Sequence, residues 1–330
     1  MPLQATLITD TDEPVEEWQS PVPPADLRRL SELQPWRSLA HVAREWLLIA
    51  APIPAVLALW QWNPIAGGVA YVAAVIWIGA RQHALAILMH EAAHYRLLPN
   101  RNLNDFFGEL LLGWPLLISM RAYRWLHFAH HRSPNTHDDP DWMLRLNRDW
   151  AFPKTRGELF TVLLRDLLAL NLRDQLEFFG RYAYARGRKK TWLDALAAVF
   201  FISLWSSLFY FQLWIPFLLF WIVPMMTWLK VALRMRTIGE HYGVEYDHML
   251  RQTRTTYPNL IERLLIAPLN IGYHLDHHLY PSVPFYHLPE LHRELQKHDA
   301  FRSQAHITRT YRAVVDECTH CIPTPIDAPH

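Results

Sequence analysis

Only two cysteines occur in the 330 residues, Cys318 and Cys321, both in "CTHC" near the end. No disulfide framework can therefore hold the chain, and it cannot supply the four thiolates of an iron–sulfur cluster. A lone Cys-x-x-Cys pair is read as incidental. A G-x-G-x-x-G turn is also missing, so no flavin or nicotinamide site of that type is expected. The net charge of +1 points to no nucleic-acid partner. Residues 1–30 are acidic and proline-rich without an apolar core, so no cleavable signal peptide is expected.

The most informative absence is of charge. No Asp, Glu, Lys or Arg occurs from Trp46 to Ala80, or from Ala195 to Leu229. Each run exceeds the roughly 20 apolar residues of one bilayer crossing. Each also carries a breaker near its middle, "WQWNPIAGG" (Trp60–Gly68) and "FQLWIP" (Phe211–Pro216). Two helical hairpins follow, with spans expected near 46–60, 65–89, 194–213 and 216–233. A soluble protein with two buried hairpins is the alternative. The hairpin turns lack Lys and Arg whereas Arg121–Lys190 is rich in them, so both termini and the central segment are expected on the cytoplasmic side.

Around these runs the expected organisation is a disordered tail at 1–25, a membrane domain with its polar segments at 26–300 and a cytoplasmic tail at 301–330. Asp26–Glu45 has the pattern of an amphipathic helix on the membrane surface. Leu103–Ser119 reads as a re-entrant or surface segment, and Glu158–Gly180 as an amphipathic helix. The aromatic-rich Phe200–Trp221 is expected to face lipid for the most part.

Histidine is abundant, 19 residues in all, and ordered. "HEAAH" contains His90 and His94; "HFAHH" contains His127, His130 and His131; "HLDHH" contains His274, His277 and His278. Residues three and four apart share a helix face, so each box is expected to aim its imidazoles at one point. His241, at the predicted cytoplasmic end of the fourth span, is a ninth candidate. So many imidazoles exceed the needs of one ion, and two ions is the economical count. Imidazole accepts Zn, Cu, Ni and Fe, but structural zinc sites draw mostly on cysteine and zinc has no redox chemistry. A pair of iron ions suited to activating dioxygen is therefore expected. Glu91, Asp138, Asp139, Asp141 and Asp276 stand near the boxes as acceptors for the second ring N–H of ligating histidines.

The three boxes, with "HHRSPNTHDDPD" after the second and "NIGYHLDHHLYPSVP" around the third, resemble the membrane fatty acid desaturase superfamily. The resemblance runs from about Arg81 to Leu295, and the superfamily also holds hydroxylases and ketolases. It implies an all-α fold of four transmembrane helices with a cytoplasmic helical cap carrying the boxes. It also implies a di-iron centre that uses O2, and a tunnel for an acyl chain. The eight box histidines match the family's ligands, and His241 resembles the additional histidine after the last span. Some members place Asn four residues before that histidine, where this chain has Thr237.

The resemblance implies a desaturase acting on an acyl lipid or thioester. Its electrons would come from a separate ferredoxin-type or small haem carrier with its reductase. A hydroxylase or ketolase of a carotenoid, alkane or sphingoid chain is the nearest alternative. A divalent-metal transporter is a second one, although neither charge-free run contains a histidine to serve a path through the membrane.

Overall fold

A computed structural model describes residues 20–171, 174, 176, 177, 179, 180, 190–246 and 248–319. Expectations about the tail before residue 20, most of Arg186–Lys190 and Cys321 lie outside these residues. The described chain is helical apart from two three-residue strands. Four helices are long and apolar enough to cross a membrane: Pro35–Trp62, Pro64–Ala93, Trp192–Tyr210 and Trp214–His241.

The first two meet at Asn63. Its side chain accepts from the N–H groups of Ile65 and Ala66 at 2.9 and 3.2 Å, and Pro64 occupies the first turn. That combination satisfies the donors a helix start leaves open, and it explains "WNP" in the first charge-free run. Across this turn Gly67 lies against Trp60, whose Cα would be 2.5 Å from a Cβ at residue 67.

Three of the four helices run past their expected limits. The first already starts at Pro35, so Asp26–Glu45 is not one surface helix; it is a short helix, Pro24–Leu30, followed by the opening turns of the first long one. The second continues through "HEAA", and the fourth ends on His241 itself. Apolar content marks where lipid would lie, but helices go on into polar sequence while packing supports them. The expected helix over 158–180 is interrupted: Arg156–Leu167 stops before Ala169, which has φ 54°, and residues 174, 176, 177, 179 and 180 are helical again.

The second helix is the most buried of the four and touches most of what surrounds it. The fourth carries a π-helical turn at Leu218–Ile222, ahead of Pro224. Two of its carbonyls are taken by the second helix: Tyr71 Oη donates to Leu219 at 3.0 Å and Gln82 Nε2 to Trp221 at 2.9 Å. A bilayer offers no water to carbonyls freed by an irregular turn, so neighbouring side chains must answer them. Trp46 of the first helix stacks on Trp221 at a 5.3 Å centroid separation.

The second and fourth helices touch where the second has no side chain. A Cβ at Gly79 would sit 2.7 Å from Trp228 Cβ and 2.9 Å from the Leu229 nitrogen. Gly79→Leu is expected to push these helices apart and cost about 1–3 kcal/mol or more. The check is thermal unfolding in detergent with Gly79→Ala as the milder step; an unchanged midpoint for Leu would show that the contact does not matter.

The segment Arg101–Leu116 is interrupted as expected, an α-helix to Gly108 followed by a π turn and a 3₁₀ turn. Its buried Glu109 accepts from Ser119 Oγ, the Met120 and Arg121 nitrogens and Arg121 Nε, anchoring the start of helix Met120–Arg132. The C-terminal part is packed rather than loose up to Thr319. Strand Ile307–Arg309 pairs in parallel with Thr255–Tyr257, and helix Thr310–Thr319 buries Tyr311, Val314 and Cys318.

Candidate metal centre

The first two histidine boxes ride on helices with an end fixed by a neighbour. Arg124, inside the second-box helix, donates from Nε to the Ala93 carbonyl at 2.7 Å and from Nη2 to Ala92 at 2.9 Å. It also pairs with Asp105 at 2.6 Å. A guanidinium on the last carbonyls of the second long helix satisfies groups that helix leaves open and complements its dipole. The consequence is that "HEAAH" and "HFAHH" face each other.

All nine candidate histidines converge, in two clusters. His90, His94, His127, His131 and His277 form one, and His130, His241, His274 and His278 the other. Within each cluster the potential ligand atoms lie within 4.8 Å of one another. The expectation that each box aims at a single point is corrected. Residues i and i+4 lie about 40° apart on a helix, whereas i+3 is about 60° to the other side. Hence His127 and His131 join the first cluster while His130 turns to the second. In the third box the roles exchange: His274 and His278 join the second cluster and His277 the first.

The spacing of ring nitrogens is informative. His127 Nε2 lies 2.9 Å from His94 Nε2 and 3.0 Å from His131 Nε2, which is in turn 3.2 Å from His277 Nε2. In the other cluster His274 Nε2 and His241 Nε2 are 2.9 Å apart. One ring nitrogen has either one hydrogen or one lone pair, so it cannot bond two such neighbours as hydrogen bonds. Two nitrogens about 2.1 Å from one ion and at right angles to each other would be about 3.0 Å apart. Both nitrogens of buried His90 and Nε2 of His278 also lack any hydrogen-bond partner. Buried orphans of this kind are costly, and a shared cation answers them.

Burial and neighbouring charges keep six of these rings neutral. Burial first, then Arg96 and Arg124, bring His94 down to about 3; burial, then His94 and His130, bring His131 to about 2. His127, His274, His277 and His278 are held well below the usual histidine value, again by burial and then by other histidines of the clusters. A neutral ring keeps the lone pair that ligation needs.

These depressed values fix a pH dependence. The unfolded histidines titrate near 6.5, so below that pH the unfolded chain takes up protons that the folded chain refuses. Stability is complete above about 6.5 and falls with acidification, by about 1.4 kcal/mol per pH unit for each such group. The unfolding midpoint is expected to drop from pH 7 to pH 5, with release of bound metal. A midpoint that is flat or rises over that interval contradicts this.

The acids near the boxes have distinct roles. Asp139 Oδ2 accepts from His130 Nδ1 at 2.7 Å, which leaves Nε2 of His130 for the cluster. Burial would raise the Asp139 carboxyl, but the His130 N–H and the Asn135 backbone N–H hold it below its ordinary value. Asp276 serves instead His292 Nδ1 at 2.7 Å and Thr255 Oγ1 at 2.7 Å. Glu91 Oε1 is 3.5 Å from His90 Nδ1, while its Oε2 accepts from the Phe285 nitrogen. Asp138 is exposed, and Asp141 is buried in the wall of the adjoining cavity.

Sequence reasoning did not single out Glu240. It bonds Arg236 Nε at 2.7 Å and lies 3.3 Å from His274 Nδ1. The signal was available in Arg236 and Glu240 standing four apart, immediately before His241.

A cavity of about 170 Å³ opens on the clusters and is lined in part by His127, His130, His241 and His274. Ala86, Met89, Leu116, Ile118, Met225 and Leu229 give it apolar walls. Thr237 lines it too. The aromatic run Phe200–Trp221 contributes nothing to this lining; its side chains are largely exposed on the helix surface.

A helical chain with four candidate membrane spans and two histidine clusters able to hold metal at one end of a partly apolar cavity is, as a class, a membrane-associated metal-binding protein. It belongs to the fatty acid desaturase family, whose pattern it matches over residues 66–310. Members of that family are oxidoreductases, which sets aside the transporter reading.

The chain is 27% identical to the dihydrorhizobitoxine desaturase of Bradyrhizobium elkanii, covering 78% of this chain and 76% of that protein. It is 25% identical to a sphingolipid delta(4)-desaturase of Drosophila melanogaster, covering 76% and 73%. With the beta-carotene ketolase of a Paracoccus species it shares 28% identity, covering 77% and 86%.

Proposed function

We propose that this chain is an O2-dependent di-iron desaturase, introducing a double bond into the acyl or alkyl chain of a lipid, thioester or related substrate. The observation that carries the reading is the division of nine histidines into a five-membered and a four-membered cluster, both beside a partly apolar cavity. Iron bound there would supply dioxygen-dependent oxidation of an unactivated C–H bond.

The chain's own residues have separate tasks. Neutral imidazoles hold the ions, and Asp139 fixes the His130 ring so that Nε2 faces inward. Met89, Leu116 and Met225 exclude water and position the substrate chain. Overall, two hydrogens leave adjacent carbons and one O2 becomes two waters, which balances only with two further electrons and two protons. The electrons come from a ferredoxin-type or small haem carrier and its reductase, and the protons from water. In this reading the four long helices form two hairpins in the membrane, and the clusters lie in a cap on the cytoplasmic side with both termini.

The test is a mass-spectrometric profile of lipids and small metabolites from cells expressing the wild type or His130→Ala, with a redox partner supplied. A new double bond found only with the wild type supports the proposal. A new hydroxyl or keto group instead favours the alternative suggested by the ketolase relative. An unchanged profile from iron-loaded protein sinks both.

A further inference from the structure

The third long helix, Trp192–Tyr210, is the least buried of the four. Its two buried residues, Leu193 and Leu208, stand near its ends, and the Arg121–Asp194 ion pair at 3.1 Å ties down the first of them. Between these points the helix leaves a groove of about 400 Å³ against the interrupted segment that precedes the second box. Leu196, Val199, Ser203 and Ser207 line one side of it, Leu110 and Trp114 the other. Ser203 and Ser207, one turn apart on one face, are too small to fill the gap.

The same segment also lines the cavity beside the histidine clusters, through Leu116 and Ile118. One short stretch, 110–118, therefore walls both spaces. It is not regular helix: a π turn runs into a 3₁₀ turn, and Leu117 follows with φ 62°, a left-handed conformation that strains a leucine. Trp221 Nε1 holds the Pro115 carbonyl at 2.8 Å, and the Trp114 ring packs 5.3 Å from that of Phe200 on the third helix.

We infer that this groove takes up one hydrocarbon chain from the bilayer and is the lateral entrance by which the substrate chain reaches the cavity, past the Trp114 ring. The inference rests on the desaturase reading and narrows its substrate class to molecules dissolved in the bilayer by their chain, rather than delivered from water on a soluble carrier.

The surroundings and the dimensions name the occupant. The groove lies on a helix apolar enough to cross a membrane, where lipid tails rather than water meet it. Among the described residues no charged side chain lines it, so it offers nothing to a head group. Leu196 to Ser207 covers about 16 Å of helix, about half of a hydrocarbon core roughly 30 Å thick. One chain of one leaflet, lying along the helix, matches that length. A chain on this path also stays in apolar surroundings, whereas each methylene drawn through water costs free energy.

The experiment places the full iron-loaded chain in phosphatidylcholine vesicles with a palmitic acid analogue that carries a photoreactive diazirine near its methyl end. Labelled residues are mapped by mass spectrometry. The wild type is expected to be labelled in the groove, on Leu196 or Phe200, and in the cavity, on Met89 or Met225. Ser203→Trp and Ser207→Trp each put a ring into the groove. Cavity labelling should fall about tenfold or more in both, because the ring must be displaced before a chain can pass. Ile202→Trp, on the exposed face outside the groove, should leave it unchanged. Unfolding midpoint and iron per chain identify correctly folded variants.

Cavity labelling that survives in both correctly folded groove variants overturns the inference. A wild type labelled in the groove alone does so as well, since the lipid then only coats the helix. Product analysis reports separately on the underlying reading. If both groove variants form the new product as fast as the wild type, the entrance fails and the desaturase stands. If labelling follows the expected pattern while the wild-type lipid and metabolite profile stays unchanged, the entrance stands and the desaturase reading falls.

Discussion

If each cluster holds one iron as proposed, His241→Ala is expected to lower bound iron from two ions per chain to about one and to abolish oxidation. The residue closes the four-membered cluster, where its Nε2 lies 2.9 Å from that of His274. Removing it leaves three imidazoles for that ion. The loss should exceed the roughly 10–100-fold in metal affinity or activity that follows removal of an outer partner of a ligand. His94→Ala is the useful contrast: it belongs to the five-membered cluster, so four imidazoles remain and iron should fall less. Metal analysis per chain, with Mössbauer spectra of the two sites, checks both variants. Full iron and full activity in His241→Ala would remove the four-membered cluster as an ion site.

Arg254→Met should destabilise the protein by about 3–5 kcal/mol and empty the same cluster without touching a histidine. Arg254 is fully buried. Its guanidinium donates to the carbonyls of Ile238, Gly239 and Gly243 and to Glu317 of the C-terminal helix. The Ile238 and Gly239 carbonyls lie in the last turn of the fourth helix, where a helix runs short of N–H donors, and Gly243 lies just beyond its end. Methionine keeps much of the volume and none of the donors. The backbone carrying His241 then loses its fixed end, so iron should leave the four-membered cluster before the five-membered one. Arg254→Lys should fall between, because one ammonium cannot reach all of these acceptors. The expected readouts are a lowered unfolding midpoint and a selective loss of iron. An unchanged midpoint with full iron would mean that the helix end is held by other contacts.

Much of this architecture is legible in the chain. Four long helices follow from two charge-free runs, each broken by a turn, because one unbroken helix of that length would outrun a bilayer. Asn63 and Pro64 even mark the first turn residue by residue. Less legible were the helix ends. His90 and His241 sit inside helices that continue past the apolar text, since packing against Arg124 and Arg254 sustains them there. The acids show the same limit: Asp139 reaches a box histidine, but Asp276, inside the third box, turns to His292 and Thr255. A carboxylate's neighbours in sequence do not fix its partner when helices from distant parts of the chain compete for it.

The sequence by itself singled out the nine histidines that converge, eight by their spacing in three boxes and His241 by its place after the fourth span. Only the tertiary structure decided how the faces combine. The i and i+4 pair of the second box meets the first box, while that of the third box meets His241, and the i+3 histidine of each crosses to the other cluster. The physical reason is angular. A helix separates i+3 from i+4 by about 100°, enough to serve two centres, and the choice of centre depends on helices far apart in sequence, as His90 and His277 are.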